Sequence, residues 1–453
     1  MDLIFHTHLY QYQLNSVSMD NRFNDLSSKE WLPFQKSFTR FETMEDLVRS
    51  NLRFFTKPSN SSIPSMASWG NPEFLDITKS CAKDLKIRNN NDEHELSFLA
   101  CDLTGNKSRL KSIKACMDWI SSYGTRLGHR KFLWVLVSNS LRNHDYLPLA
   151  WSISNALSGF LTRKDEKIIC LADGTTWTAL YFRRDEQSKM KEPRLETSQL
   201  HQWENNSIPG WFIIKPRPRS KDVILHPAKY PEELVRMYLN HFSHKGDSVF
   251  DPMSGTGSTQ VAALKLKRIT YGVELSPLFH RIAQERCREN AGQEGKFKLI
   301  QGDARKIATM KFPTMDYVIT SPPYWDMLNM KGAEIQAARR QKGLKTSYSD
   351  NTNDLGNESD YDTFLNLLFE IYHQTAILLK SSGFLTIVVK NVKKKGQHYP
   401  LAFDLGEKLS VSGMKIVHLG IWCQDDLRIA PYGYRYTWVS NTFHHYCLTF
   451  QKP

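Results

Sequence analysis

The chain has 453 residues, 40% of them hydrophobic and 12% aromatic, with 60 Lys and Arg against 47 Asp and Glu for a formal net charge of +13. At about 150 residues per domain that length holds two to four domains and a large core, which excludes wholesale disorder and any need for disulfide or metal staples. The seven cysteines are scattered without a Cys-x-x-Cys pair, no apolar stretch approaches the ~18 residues of a membrane span, and the start MDLIFHTHLYQYQL lacks a signal-peptide pattern, so the expectation is a reducing cytoplasm, no membrane and no metal.

In chain order, residues 56–66 are rich in Ser and Pro and read as a connector. Residues 131–151 form an apolar strand followed by a helix entry. They align without a gap on 383–403 at a constant offset of 252, with Phe132/Phe384, Leu133/Leu385, Val137/Val389, Asn139/Asn391 and Pro148-Leu149-Ala150/Pro400-Leu401-Ala402 identical. The same offset sets Asp102-Leu103 against Asp354-Leu355 and Leu157 against Leu409. A shared Asn and Pro-Leu-Ala at fixed spacing point to duplication. The N-terminal region, 1–183, is therefore read as a diverged copy of the C-terminal half of a later domain, 223–453, joined to it by a polar linker, 184–222. It has no glycine loop, and Pro64-Ser65-Met66-Ala67-Ser68-Trp69 is all it offers at the expected catalytic position, so it is expected to be inert, with roles in substrate contact or target recognition.

From 223 to 320 strand candidates (Asp247–Phe250, Ile269–Val273, Phe297–Ile300, Tyr317–Thr320) alternate with helical patterns at 231–242, 258–267 and 277–290, which predicts an α/β unit on a parallel sheet. The first strand runs through Asp251 into Pro252-Met253-Ser254-Gly255-Thr256-Gly257-Ser258-Thr259, where two glycines let backbone approach a ligand at a helix start. Glu274 tips the second strand, placed to accept ribose hydroxyls, and Asp303 closes the third, placed to accept an adenine amino group. Neither a P-loop Lys nor a third dinucleotide-site glycine follows Gly257, and the acid before the glycines favours a cationic ligand over a pyrophosphate. S-adenosylmethionine fits that charge pattern.

Straight after the fourth strand stands Ser321-Pro322-Pro323-Tyr324. Consecutive prolines leave carbonyls outside any ladder. The Ser321 hydroxyl and the Pro322 carbonyl can accept the hydrogens of an amino group while Tyr324 stacks on its base. Cytosine C5 chemistry needs a thiolate, typically in a Pro-Cys pair, and no cysteine follows a proline here.

Over about 223–453 these residues resemble the amino-group DNA methyltransferases, which make N4-methylcytosine or N6-methyladenine. The resemblance includes the entry His226-Pro227-Ala228-Lys229-Tyr230, similar to the family segment around the methionine end of the cofactor, with Met253 where Phe is common. It implies a Rossmann-like, S-adenosylmethionine-dependent α/β fold, with the N-terminal α/β domain a diverged partial repeat of it. It also implies duplex DNA as substrate, base flipping, and catalysis by Ser321, Pro322, Pro323 and Tyr324. His226, Lys229, Tyr230, Asp251, Met253, Gly255, Gly257, Thr259, Glu274 and Asp303 are implied around the cofactor. Ser as first residue of the tetrapeptide favours cytosine N4, with adenine N6 or an RNA amino group as alternatives and a binding module without turnover the rival from another class. A restriction endonuclease of the same system is the protein partner the resemblance leaves room for.

The remaining features are softer. Residues 329–360 form a long polar connector with a basic run. Gln424-Asp425-Asp426-Leu427 and Ala430–Tyr436 either line the base pocket or pack a hairpin. Lys393-Lys394-Lys395 reads as a solvated turn or a phosphate contact, and His444-His445 as structural.

Overall fold

The computed structural model describes residues 26–27, 31, 34–56, 63–89, 95–105, 109–139, 149–193, 208–215, 231–293, 295–325, 354–394, 397–425 and 442–453. The N-terminal half supplies β1 (Phe38–Arg40), α1 (Met44–Phe55), β2 (Ser65–Trp69), α2 (Pro72–Asp84), β3 (Arg88–Asn89), β4 (Leu96–Leu103), α3 (Arg109–Gly124), β5 (Leu127–Ser138), α4 (Leu149–Ser158), β6 (Thr162–Cys170) and β7 (Thr176–Arg183). They form a sheet of order β1-β6-β7-β5-β4-β2-β3.

The second half begins with β8 (Trp211–Ile213), inside the stretch expected to be linker, and continues with α5 (Glu232–Phe242), β9 (Ser248–Asp251), α6 (Ser258–Lys265), β10 (Ile269–Glu274), α7 (Pro277–Ala291), β11 (Phe297–Gln301) and β12 (Met315–Thr320). Then come α8 (Tyr361–Leu378), β13 (Leu379–Val389), the hairpin β14 (Val392–Lys394) and β15 (Gln397–Tyr399), α9 (Leu401–Val411), β16 (Lys415–Cys423) and β17 (His444–Gln451). The sheet order is β11-β10-β9-β12-β13-β17-β16-β8, parallel from β11 to β13, with β17 antiparallel to both its neighbours. This is the Rossmann-like α/β arrangement expected from the alternating pattern. Strand order reverses between β9 and β12, the switch point where such sheets open a crevice.

Local chemistry sets the boundaries. Ser276 caps α7 by accepting from the Phe279 N–H with Pro277 at the first turn, and Asp360 caps α8 by accepting from Thr363. The central strands are apolar on both faces: Val249, Phe250, Val318 and Ile319 are fully buried, as a parallel sheet between helices requires.

The duplication is larger than the sequence suggested. The pairing of β4 with β5 aligns Phe98 with Phe132 after a register shift, and that of β12 with β13 aligns Tyr317 with Phe384 after the same shift. β2 pairs with β4 as β9 does with β12, and β1 pairs parallel to β6 as β8 does to β16. A further shift recurs at Arg163/Asp165 on β6 and at Ile416/His418 on β16. The N-terminal half is thus a copy of nearly the whole second half. Only six residues, 90–95, separate β3 from β4, so the counterpart of α7 and β11 is missing.

This register corrects two expectations. Asp102-Leu103, ending β4, corresponds to Ser321-Pro322 and not to Asp354-Leu355, whereas Pro64–Trp69 occupies the place of the cofactor strand β9. One apolar core crosses both halves, joining Leu133 and Val135 to Leu385 and Ile387 through Trp151 and Phe403.

Candidate active site

Asp251 is fully buried at the end of β9, and its carboxylate is held entirely by protein. Oδ1 accepts from the Met253 N–H (2.9 Å) and the Thr320 hydroxyl (2.7 Å), and Oδ2 accepts from the Thr259 hydroxyl (2.6 Å). Thr320 is the residue before Ser321. One acid therefore ties the glycine turn, the helix behind it and the clamp strand together across the switch point. Asp251 and Thr259 act from beneath the site and do not line it.

The turn itself needs its glycines. Gly255 and Gly257 sit at φ 52° and 81°, and a Cβ on Gly257 would stand 3.1 Å from that of Ala283 in α7. Glu274 at the end of β10 accepts the Gly255 N–H (2.8 Å) on Oε2 and the Ser276 N–H (2.8 Å) on Oε1. Burial pushes its carboxyl up to about 7, against those two N–H groups, with Asp251 and Asp354 adding like charge. Each oxygen retains a lone pair for a ligand hydroxyl.

Asp303 is claimed differently. Arg305 grips it from two residues on, with Nε at 3.0 Å from each oxygen and its backbone N–H on Oδ1. Burial works to raise this carboxyl, but the Arg305 side chain and N–H outweigh it and hold it below the ordinary carboxylate range. An amino group arriving at Asp303 has to share it with Arg305.

A cleft with about 700 Å³ of space, counting its open mouth, lies along this edge. Met253, Gly255, Glu274, Asp303, Ser321, Pro322 and Pro323, all expected from the sequence, line it. So do Ser276, Phe279, Asp354, Leu355 and Ile371, which sequence reasoning missed. Ser276 stood two residues past Glu274 and was legible as a cap, whereas Ile371 carries no signal beyond helical periodicity. The two-glycine turn, an acid with spare lone pairs and an apolar wall in Phe279 and Leu355 suit a nucleoside bearing a cation. His226, Lys229 and Tyr230 lie outside the described residues, as do 326–353 and 426–441.

Tyr324 is buried beside the cleft, with its hydroxyl 3.5 Å from that of Ser321. Burial pushes its phenol up, so it is neutral. Its ring is flanked by His445 at 5.7 Å between centroids and by the Lys390 ammonium at 5.2 Å, and Trp422 stacks on His445 at 4.4 Å. Burial lowers His445 well below its ordinary value, aided by Lys390 and His444, and lowers Lys390 to about 8. His445, expected to be structural, packs between Tyr324 and Trp422.

Its neighbour His444 is structural, with Nδ1 2.8 Å from the Ser37 hydroxyl. Lys393 is neither a solvated turn nor a phosphate contact, for it is buried in an ion pair with Asp165 of the other half. Lys394 lies over the Trp325 ring at 4.1 Å. Among the described residues no His, Cys, Asp and Glu cluster is arranged to hold a metal, and no helix is long and apolar enough to cross a membrane.

Comparison with known proteins agrees with this chemistry. A family model described as DNA methylase, N6_N4_Mtase, matches residues 103–285, running from the end of β4 into α7. The Bacillus sp. (strain NEB-606) type II beta methyltransferase M.BslI is 31% identical over 86 residues, 19% of this chain and 9% of that protein. The Methanocaldococcus jannaschii type II methyltransferase M.MjaI is 36% identical over 76 residues, 17% of this chain and 25% of its own length. The chain thus spans a quarter or less of these two relatives. Among solved structures, magnesium protoporphyrin IX methyltransferase from Synechocystis PCC 6803 with bound SAM is 14% identical, covering 49% of this chain and 77% of that one at a TM-score of 0.31. The family model and the relatives point the same way as the residues gathered at the switch point: the chain is similar to the amino-group DNA methyltransferases.

Proposed function

We propose that the protein transfers a methyl group from S-adenosylmethionine to the exocyclic amino group of a base flipped out of duplex DNA, with cytosine N4 as the acceptor. The observation that carries this reading is the position of Ser321, Pro322 and Pro323, straight after β12, in the wall of the cleft that Met253, Gly255, Glu274 and Asp303 also line, with Tyr324 buried beside it. The cofactor of this family, S-adenosylmethionine, supplies an electrophilic methyl when bound.

The protein's part is position and polarity. Glu274 receives the ribose hydroxyls, and the turn at Gly255 admits the cofactor's backbone-close end. A base amino nitrogen is a poor nucleophile because its lone pair is shared with the ring. The Ser321 hydroxyl and the Pro322 carbonyl, as acceptors, favour the pyramidal nitrogen and aim its lone pair along the line to the methyl. As the N–C bond forms, the S–C bond breaks with its pair left on sulfur, and the displaced N–H proton passes to solvent. Tyr324, backed by His445 and Lys390, fixes the base plane. The first residue being Ser supports cytosine, and the type II names of the relatives support a restriction–modification setting with an endonuclease as partner.

The test is incubation with methyl-labelled S-adenosylmethionine and unmethylated duplex DNA, followed by mass spectrometry of the nucleosides. N4-methylcytosine is expected. N6-methyladenine would keep the reaction and change the base, while label confined to structured RNA, or no transfer, would contradict the reading.

A further inference from the structure

The two halves meet through their own equivalents. Trp151 on α4 stacks on Phe403 on α9 at 5.1 Å between centroids and 24° between planes, and these two residues are counterparts in the repeat. Asn155 donates to Glu407, its counterpart, at 2.9 Å. Cys170 and Cys423, which end β6 and β16 at the same register position, stand 4.0 Å apart at their sulfurs. A residue touches its own equivalent only where a two-fold axis passes between them.

Off the axis one contact recurs on the other side within a residue, as expected of an isologous interface. The Ser37 hydroxyl accepts the Phe443 N–H at 2.7 Å, just before β17. Gly210, which stands before β8 as Ser37 stands before β1, donates its N–H to Gly174 at 3.1 Å, just before β7. The approach at the axis is close: a Cβ on Gly406 would lie 2.4 Å from the Trp151 ring.

The buried ionic contacts around Asp165 and Glu166, in contrast, are one-sided. Asp165 pairs with Lys393, and Glu166 accepts from Asn391 (2.7 Å) with His398 and His444 each at 3.5 Å. The residues at the matching positions of β16 are His418 and Leu419, which leave no carboxylate for a reciprocal pair. A homodimer repeats every contact twice. This interface has diverged after being sealed within one chain.

We propose that the protein is a two-fold dimer fused into a single polypeptide, whose dimer face is fully used internally, and that it works as one chain with one working centre, marking one strand of its duplex target. The strand claim rests on the proposed methyl transfer; the assembly claim does not. A symmetric dimer with two centres suits a palindromic site, one centre per strand. Here the second edge carries Asp102-Leu103-Thr104-Gly105 where the first carries Ser321-Pro322-Pro323-Tyr324, with Ser68 in place of Asp251, so only one strand is served in each encounter.

Two readouts on the full-length protein test this. Native mass spectrometry with a DNA fragment should give one chain per duplex, and strand-resolved sequencing of unmethylated phage DNA after a single turnover with DNA in excess should find each modified site marked on one strand. A two-chain complex would overturn the fusion claim. Both strands of the same duplex marked in that single turnover would overturn the strand claim. One chain per duplex with no methyl on any DNA would uphold the fusion while removing the activity, and with it the strand claim.

Discussion

The two strand edges of this molecule started from one plan and now differ in what their acids do. On the working edge Asp251 ties the glycine turn to the clamp strand through Thr320, and Glu274 waits in the cleft. On the other edge the Ser68 hydroxyl meets that of Thr78 (3.0 Å), and Asp102 folds back on Thr104 and Asn71. Burial pushes the Asp102 carboxyl up, but its oxygens serve a tight turn. Losing the segment equivalent to α7 and β11 removed the position of Asp303, and with Ser68 in the place of Asp251 two of the three strand-end acids have no counterpart. The scaffold survived because the strand pairings and the core persist without those acids.

The largest effect is expected at the seam. Lys393 is 9% exposed and paired with Asp165. Replacing it with Ala strands a buried carboxylate and should cost about 3–5 kcal/mol in denaturant unfolding. A loss below about 1 kcal/mol, the scale of exposed pairs, would mean that the halves are not sealed together there.

Next comes the clamp. Tyr324→Ala should lower kcat by about 10²-fold through lost base positioning, with S-adenosylmethionine affinity unchanged. A parallel loss of cofactor affinity would show that the tetrapeptide supports the cofactor turn and does not act on the base.

Glu274→Ala should weaken cofactor binding by about 1.5–3 kcal/mol, since ribose hydroxyls then lose a desolvated acceptor. The carboxyl also predicts a pH dependence. Its folded value of about 7 exceeds the ordinary 4.5, so the unliganded fold holds that proton more tightly than the unfolded chain does. This contribution, about 3 kcal/mol, is present below pH 4.5 and is lost as pH rises through 7. The cofactor prefers the carboxylate, so its affinity should climb from pH 6 to 8 with proton release on binding. Calorimetry in buffers of different ionisation heat reads that proton, and Glu274→Gln should abolish the climb.

Much of the working edge was legible because it is written in short local patterns. Asp251 through Gly257, Glu274 and Ser321–Tyr324 each sit where a strand ends, and strand ends are marked by apolar runs. The second edge was misread for a physical reason. The offset of 252 holds from α3 to α4, but the connector between β4 and α3 is far shorter than that between β12 and α8, which puts β4 at an offset of 219, so Asp102 was matched to Asp354 and not to Ser321. Lys393 looked solvated in a lysine run because its partner lies 228 residues away, and no local pattern announces such a pair. His445 sat in an apolar strand, and only the fold brings it against Tyr324 and Trp422.

The claim that one edge works and its copy does not is tested most directly by counting cofactor sites. Titration of the full-length protein with S-adenosylmethionine should saturate at one equivalent per chain, and the same titration of Glu274→Ala should show that single site weakened and no other. A second equivalent, or a site that keeps full affinity in Glu274→Ala, would contradict the account.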